Sequence, residues 1–470
     1  MPVRKSTILV VALLLLSVQV PAALAQDGGP MSAEIAPLIE QTQRGEVCAW
    51  PVEVAVDALN VAYPEAKASY FVMPYMLAPD QSLILTGTYP FARFSSLVTY
   101  FGLGQPGRDI EVLGWLRDTQ ITPDQGSVNP ALDAAAPSDP LERQWQVRIT
   151  GTIPVEEDFP RRHREPGRLR TLLDEWAQRW ADATAEENVI PAHPEGEADQ
   201  LGIAVLRVYV PVDAADHSGG VGLPALALEE ADGVRRALVE CTPEEEQVWT
   251  EAIRQMVLTN ITAADRLPLP TSADAPPAWV ESPVPGLAPN PDNRYLMAPV
   301  VWEPGRIVVV RGQAPTFPDT NAGDSVTLPR QLRFWSFCTG SNDVTPPNGY
   351  PTAACIGDLE IPLGPDGTYT VVVSQPEDRP ANATQGDGVA WLEGADPSLP
   401  DLLILRHMLP SDDYFDQSVW AVPELTVGAA EPVMGPYYPD AVYCDKAVFE
   451  MGGADACFEA APTAAVSQVG

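Results

Sequence analysis

Short apolar runs punctuated by prolines and glycines dominate the chain. Leu83-Ile84-Leu85 ends at Gly87, and Arg93 to Tyr100 reads as the next strand. Trp145-Gln146-Val147-Arg148-Ile149 alternates apolar and polar residues with a period of two, the pattern of a half-buried strand. The same order returns further along. Ser69-Tyr70-Phe71-Val72-Met73-Pro74, with Pro79, Gly87 and Pro90, aligns without a gap on Arg294 to Pro299, Pro304, Gly312 and Pro315 at a constant offset of 225, Tyr70 lying against Tyr295. Arg93-Phe94-Ser95-Ser96-Leu97 and Asp118 to Ile121 then match Arg333-Phe334-Trp335-Ser336-Phe337 and Asp358 to Ile361, both at an offset of 240. Trp145 to Ile149 answers Tyr369 to Val373, and Leu206 to Pro211 answers Leu405 to Pro410. Five segments in the same order predict a mainly β chain of two related antiparallel β-sandwich, jelly-roll-like domains.

Three stretches break the strand pattern. Ser32 to Glu46 reads as a short lead-in helix. Gly167 to Glu187 places Leu169, Leu172, Leu173, Trp176 and Trp180 on one helical face, which predicts an amphipathic helix inserted in the first repeat. A further helix starts at Thr242, with Pro243 in its first turn and Glu245 completing a capping box; it carries Val248, Trp249, Ile253, Met256 and Val257 and fades near Ile261. The expected organisation is a signal peptide over 1–25, a helical lead-in over 26–64, a first sandwich over 65–240 and a helix over 241–262. A proline-rich linker over 263–290, a second sandwich over 291–425 and a disulfide-linked C-terminal extension over 426–470 complete it.

Arg4 and Lys5, the apolar run from Ile8 to Val20 and the small-residue site Ala23-Leu24-Ala25 have the form of a secretory signal cleaved before Gln26, which predicts a periplasmic or secreted protein. The run is shorter than the roughly 20 residues needed to span a bilayer, and no later apolar run is long enough to do so. A formal net charge of -36 repels phosphate backbones and anionic head groups, which argues against nucleic acid and membrane-surface partners. Fifty prolines among 470 residues disfavour long helices.

Six cysteines in an exported chain are expected to be paired. Six allow 15 pairings. Spacing ranks Cys338 with Cys355 and Cys444 with Cys457 first, leaving Cys48 with Cys241. No C-x-x-C occurs and no histidine stands near a cysteine at ligand spacing, so neither a zinc site nor a cofactor is expected.

Arg333 to Phe337, Ile356-Gly357-Asp358, Asp366 to Thr370, Trp391-Leu392 and Leu403 to Arg406 with Pro410 together resemble the bacterial domain-of-unknown-function family twelve-fourteen. The resemblance covers roughly Arg333 to Pro410 and, more faintly, the first repeat. It departs from the family at Cys338 and the Cys355 loop and lacks the Tyr-Asp ending of the second strand. It implies an exported or periplasmic β-sandwich and carries no catalytic residue, because the family has no settled activity.

Nucleophile and phosphate-binding motifs are missing. No G-x-S-x-G occurs, Ser325 sits in Gly323-Asp324-Ser325-Val326-Thr327 without the closing glycine, and H-E-x-x-H, the P-loop and G-x-G-x-x-G are absent. His193 precedes Glu195 and Glu197, and His217 follows Asp213 and Asp216, spacings that could serve a divalent ion but are the composition of solvated loops. His163 lies among arginines, and His407 beside Arg406 reads as a satisfied strand histidine. Arg93, Asp118 and Arg207, with Arg333, Asp358 and Arg406, form a charged set in each copy. Their retention in both copies predicts an Arg-Asp strut inside each sandwich. Local function is expected where the copies differ: in Asp213, Asp216 and His217 of the segment ending at Gly222, at Trp302, and at Tyr350 in the loop before Cys355; Arg333 and Asp358 of the charged set are further candidates, since a pocket for a carboxylate or sugar could use them. Two classes of function fit. One is a non-catalytic binding or envelope protein for a small molecule, glycan or partner; the other is a hydrolase or lyase that attacks an extracellular polymer through carboxylates.

Overall fold

The computed structural model describes residues 36–105, 110–136, 138–153, 187–197, 200–260, 276–281, 290–341, 348–398, 401–423 and 426–461. The signal segment, His163, all but the last residue of the expected helix at 167–187 and most of the proline-rich connector lie outside them.

Two sandwiches share one strand order. In the first, β1 (Val52–Val54), β2 (Ala68–Tyr75), β10 (Gly202–Pro211), β4 (Ala92–Phe101) and β5 (Glu111–Arg117) form one sheet. Its second sheet runs β12 (Arg235–Ala237), β11 (Ala225–Glu229), β3 (Ser82–Thr88), β6 (Gln144–Thr150) and β8 (Val189–Ile190), while β7 (Thr152–Ile153) and β9 (His193–Pro194) make a small pair. In the second sandwich the first sheet runs β13 (Val280–Glu281), β14 (Asn293–Val300), β20 (Asp401–Met408), β16 (Phe334–Ser341) and β17 (Thr352–Gly357). Its partner runs β19 (Ala390–Glu393), β18 (Thr368–Ser374), β15 (Arg306–Gln313) and β21 (Asp440–Asp445). Pairing between these strands is antiparallel except at one edge of each second sheet, where β8 on β6 and β19 on β18 are parallel, and in the small pair of β7 and β9, which is parallel too. Segments that match in sequence therefore occupy the same place in each sandwich.

Burial explains which strands alternate. In β6, Trp145, Val147 and Ile149 point into the core while Gln146 and Arg148 face outward. In β15, Val308 and Val310 enter the sandwich core, whereas Ile307 and Val309 meet Phe449 and Cys457 of the helix α4 (Lys446–Ala460). A strand covered on both faces reads as a continuous apolar run. The segment expected as a C-terminal extension thus supplies an integral strand, β21, paired with β15 in the position β11 holds beside β3, and the helix over it.

Within the described residues the lead-in helix α1 spans Ala36–Gln43 and ends before the expected Glu46. The helix α2 spans Pro243–Asn260 and has the expected capping box: Thr242 N donates to Glu245 Oε2 (2.8 Å) and Glu245 N to Thr242 Oγ1 (3.3 Å). Its buried stripe is Trp249, Ala252, Ile253, Met256 and Val257, while Val248 points to solvent. The short helix α3 (Ala430–Met434) caps the second core. The disulfides are Cys48–Cys241, Cys338–Cys355 and Cys444–Cys457. The second bridges facing residues of β16 and β17, and the third ties β21 to α4.

Candidate functional site

The arginine and aspartate retained in both copies do not pair within a sandwich as expected. They cross between sandwiches. Arg93 Nη1 contacts both oxygens of Asp358 at 2.6 and 2.7 Å, and Arg333 Nη1 lies 3.3 Å from Asp118 Oδ2. The reason is positional: each arginine stands at the start of β4 or β16, and each aspartate opens a short 3₁₀ turn (Asp118–Gln120, Asp358–Glu360) after the neighbouring strand. Both therefore gather at the end of the sheet that abuts the other copy. The reciprocity extends to the rings, with Arg93 over Phe334 and Arg333 over Phe94. Phe94, Tyr209, Phe334 and Met408 fill the apolar centre of the seam.

Each aspartate also accepts backbone hydrogens. Ser95 N and Thr119 N donate to Asp118, and Trp335 N donates to Asp358. Burial pushes the Asp358 carboxyl up to about 6 despite Arg93, and it raises Asp118 despite Arg333. A second tie comes from the segment before β2. Glu65, fully buried, accepts from Arg406 Nη1 (2.8 Å) and Ser336 Oγ (2.5 Å) of the second sandwich. Asn60 and Thr352 exchange two hydrogen bonds, each 2.8 Å. Glu65 lies near the sulfurs of Cys338 and Cys355, but their disulfide leaves no thiolate to bind a metal.

A groove of about 500 Å³ opens along this seam, with Asp57, Lys67, His217, Phe334, Asp358 and Glu360 among its walls. Its origin is a difference between the copies. Arg117 and Gly357 hold the same place: each faces the serine at the fourth position of its motif, Ser96 or Ser336, and each precedes the 3₁₀ turn. Arg117 bonds through Nε to Asp292, which is fully buried. Asp292 in turn holds the place of Lys67, since Val210 N donates to Lys67 O and Leu409 N to Asp292 O. On the groove side Gly357 has no side chain to fill the space, and Lys67 turns to Glu360 (Nζ to Oε1, 2.7 Å). A Cβ built on Gly357 would meet Lys67 Cγ and Phe334 Cε2 at 3.5 Å, ordinary contact distances, so a longer side chain there would run into the groove.

Of the residues singled out from sequence, His217 and Asp358 line the groove and Arg333 lies at the crossed pair behind it. His217 Nδ1 is 2.6 Å from Glu53 Oε1. Asp213 and Asp216 sit in the flanking loop, accepting from Ala215 N and from Ser218 N and Oγ. Trp302 is elsewhere, donating Nε1 to Asp401 Oδ2 (2.5 Å) and packing over Gly394. Tyr350 is buried against Tyr63, ring centroids 5.1 Å apart, and ties the segment before β2 to the second sandwich. His407 is buried in β20 with Val419 N donating to Nδ1 (3.4 Å), and burial lowers its pKa to about 3. Sequence reasoning passed over Asp57, Lys67, Gly357 and Glu360. The signal for two of them lay in the alignment of the copies, where Gly357 faces Arg117 and Lys67 faces Asp292.

No family model matches the chain, and no curated protein matches it. Among solved structures, an uncharacterised protein from Burkholderia cenocepacia is similar at 12% identity and a TM-score of 0.47, covering 87% of this chain and 86% of that one. A protein from Vibrio parahaemolyticus is similar at 11% identity and a TM-score of 0.34, covering 80% of this chain and 89% of that one. Likenesses at these scores carry no argument about function.

Proposed function

We propose that the protein is an exported, non-catalytic binding protein that holds a small molecule in the groove between its sandwiches, and that it is a divergent relative of domain-of-unknown-function family twelve-fourteen. The observation that carries the binding reading is the asymmetry at Gly357: the crossed Arg-Asp pairs recur on both sides of the seam, but one side exchanges a filled, ion-paired position for an open one. A volume of about 500 Å³ falls within the range of small-molecule sites. The walls combine apolar surface from Val210, Pro211 and Phe334 with the carboxylates of Asp57 and Glu360, which favours a ligand with an apolar face and hydroxyl or ammonium groups. Lys67 and Glu360 form a partly exposed pair worth about 1 kcal/mol or less, so either partner can turn to a ligand at small cost. Three disulfides fit an exported protein. The hydrolase alternative gains little from this geometry, because Asp358, the deepest carboxylate of the groove, is held on both oxygens by Arg93.

The test is a thermal-shift panel of monosaccharides and primary amines run on the wild type and on Gly357→Arg. At least one compound is expected to raise Tm in the wild type and to lose that effect in the variant. A panel without response, or equal responses in both proteins, refutes the groove as the site.

A further inference from the structure

A second cavity, of about 270 Å³, adjoins the groove, and Val212 lines both. The first repeat supplies Phe91, Asp118 and Arg143, and the loop over 320–326 of the second repeat supplies the facing wall. Arg143 is buried, with only 6% of its surface exposed. Its guanidinium carbon lies 4.0 Å from the Phe91 ring centroid, and Nη2 donates to Pro90 O (3.1 Å). Nε is buried without a hydrogen-bond partner, and among the described residues no carboxylate lies within ion-pair distance of Arg143. A buried, uncompensated cation is costly, and in a chain with 64 acidic residues it is unexpected.

The fold gives Arg143 a ring and one carbonyl but no counter-charge. Arg143 belongs to one copy only: in the register that sets Trp145 on Gly87 and Tyr369 on Gly312, its counterpart is the turn residue Gly367. The uncopied loop after β10 also serves this place, since Phe91 N donates to Gly219 O and Val212 N to Phe91 O, which fixes the ring on which Arg143 rests.

We propose that this cavity is an anion site that takes a small monocarboxylic acid, its carboxylate pairing with Arg143 and its short hydrocarbon body lying against Pro90, Phe91 and Val326. Arginine presents a planar fork suited to a carboxylate. The three acids on the walls already have their own donors. Asp118 has Arg333, Asp324 has Arg330 (3.2 Å), and Asp133 accepts from Ala135 N. They leave Arg143 uncompensated, yet their nearness disfavours a dianion such as phosphate. The inference rests on Arg143 and not on the groove reading.

The experiment is titration calorimetry of the full exported chain at pH 7 with sodium butyrate as the probe and sodium phosphate as the comparison. Butyrate is expected to bind saturably and phosphate at least 10-fold more weakly. Arg143→Gln is expected to weaken butyrate by about 10-fold or more, the loss of a charge-assisted hydrogen bond. Val326→Trp, which fills the cavity and leaves Arg143 in place, should also weaken it, so the test survives if Arg143→Gln fails to fold. Gly357→Arg should leave butyrate binding unchanged, which separates this site from the groove. Absence of saturable butyrate binding, undiminished binding in Val326→Trp, or phosphate binding as tight as butyrate overturns the proposal.

Discussion

Arg93 of the first repeat and Asp358 of the second are joined by contacts of 2.6 and 2.7 Å with both side chains withdrawn from solvent. Each has its nearest sequence counterpart on the far side of the same seam, in Arg333 and Asp118, which pair in the reverse sense. The seam is thus a self-complementary surface met by its own copy, the logic of an isologous dimer interface enclosed within one chain.

Breaking this pair from one side leaves a buried charge. Arg93→Met is expected to cost about 3–5 kcal/mol, while Arg93→Met combined with Asp358→Leu should cost clearly less than the single change. Urea unfolding of the single and double variants measures the coupling. A single variant within 1 kcal/mol of the wild type would mean that the pair does not hold the sandwiches together.

Arg117 does on one side of the seam what its absence allows on the other. Arg117→Gly should strand the fully buried Asp292 and destabilise the protein by about 3 kcal/mol. Adding Asp292→Asn should recover much of the loss. Gly357→Arg makes ordinary contacts at its Cβ and sends its side chain into the groove, so it should change stability by less than about 1 kcal/mol. Denaturation midpoints of the three variants decide this.

Burial pushes the Asp401 carboxyl up to about 7, against the hydrogen bonds it accepts from Trp302 Nε1 and Ala395 N. A carboxyl whose pKa rises on folding favours the folded state in its protonated form. Its contribution is therefore fully present below about pH 4 and is lost as pH rises through 7. Asp358, raised to about 6, acts in the same direction up to that pH. Asp401→Asn should abolish most of the Asp401 share and be more stable than the wild type at pH 8 by about 2–4 kcal/mol. Urea midpoints at pH 5 and pH 8 check it; an equal difference at both would show that Asp401 does not titrate in this window.

Much of the fold was legible in the chain. Spacings kept at 225 and 240 residues placed the strands of one sandwich on those of the other, and Thr242 and Glu245 marked a helix start by hydrogen bonds that depend on no distant residue. The crossing of Arg93 and Arg333 was not legible. When the same residue types recur in both copies, pairing within a copy and pairing between copies leave the same sequence pattern, and only the packing of one copy on the other selects between them. β21 was hidden because Asp440–Asp445 follows the uncopied α3 and its inward-facing residues read like any short apolar run. Trp302 and Tyr350 stand where the copies differ, but distant groups hold them: Asp401 and Gly394 half-bury the one and Tyr63 buries the other. The groove needed a different question of the alignment, namely where a large side chain in one copy faces a glycine in the other.

Hydrogen exchange with and without a compound that raises Tm locates binding directly. Protection is expected at 55–57, 66–69 and 357–360, the walls of the open groove, with none at 115–120 and 292–294, where Arg117 closes the counterpart. Protection at the Arg117 side, or an even change across both sandwiches, would contradict a site created by Gly357.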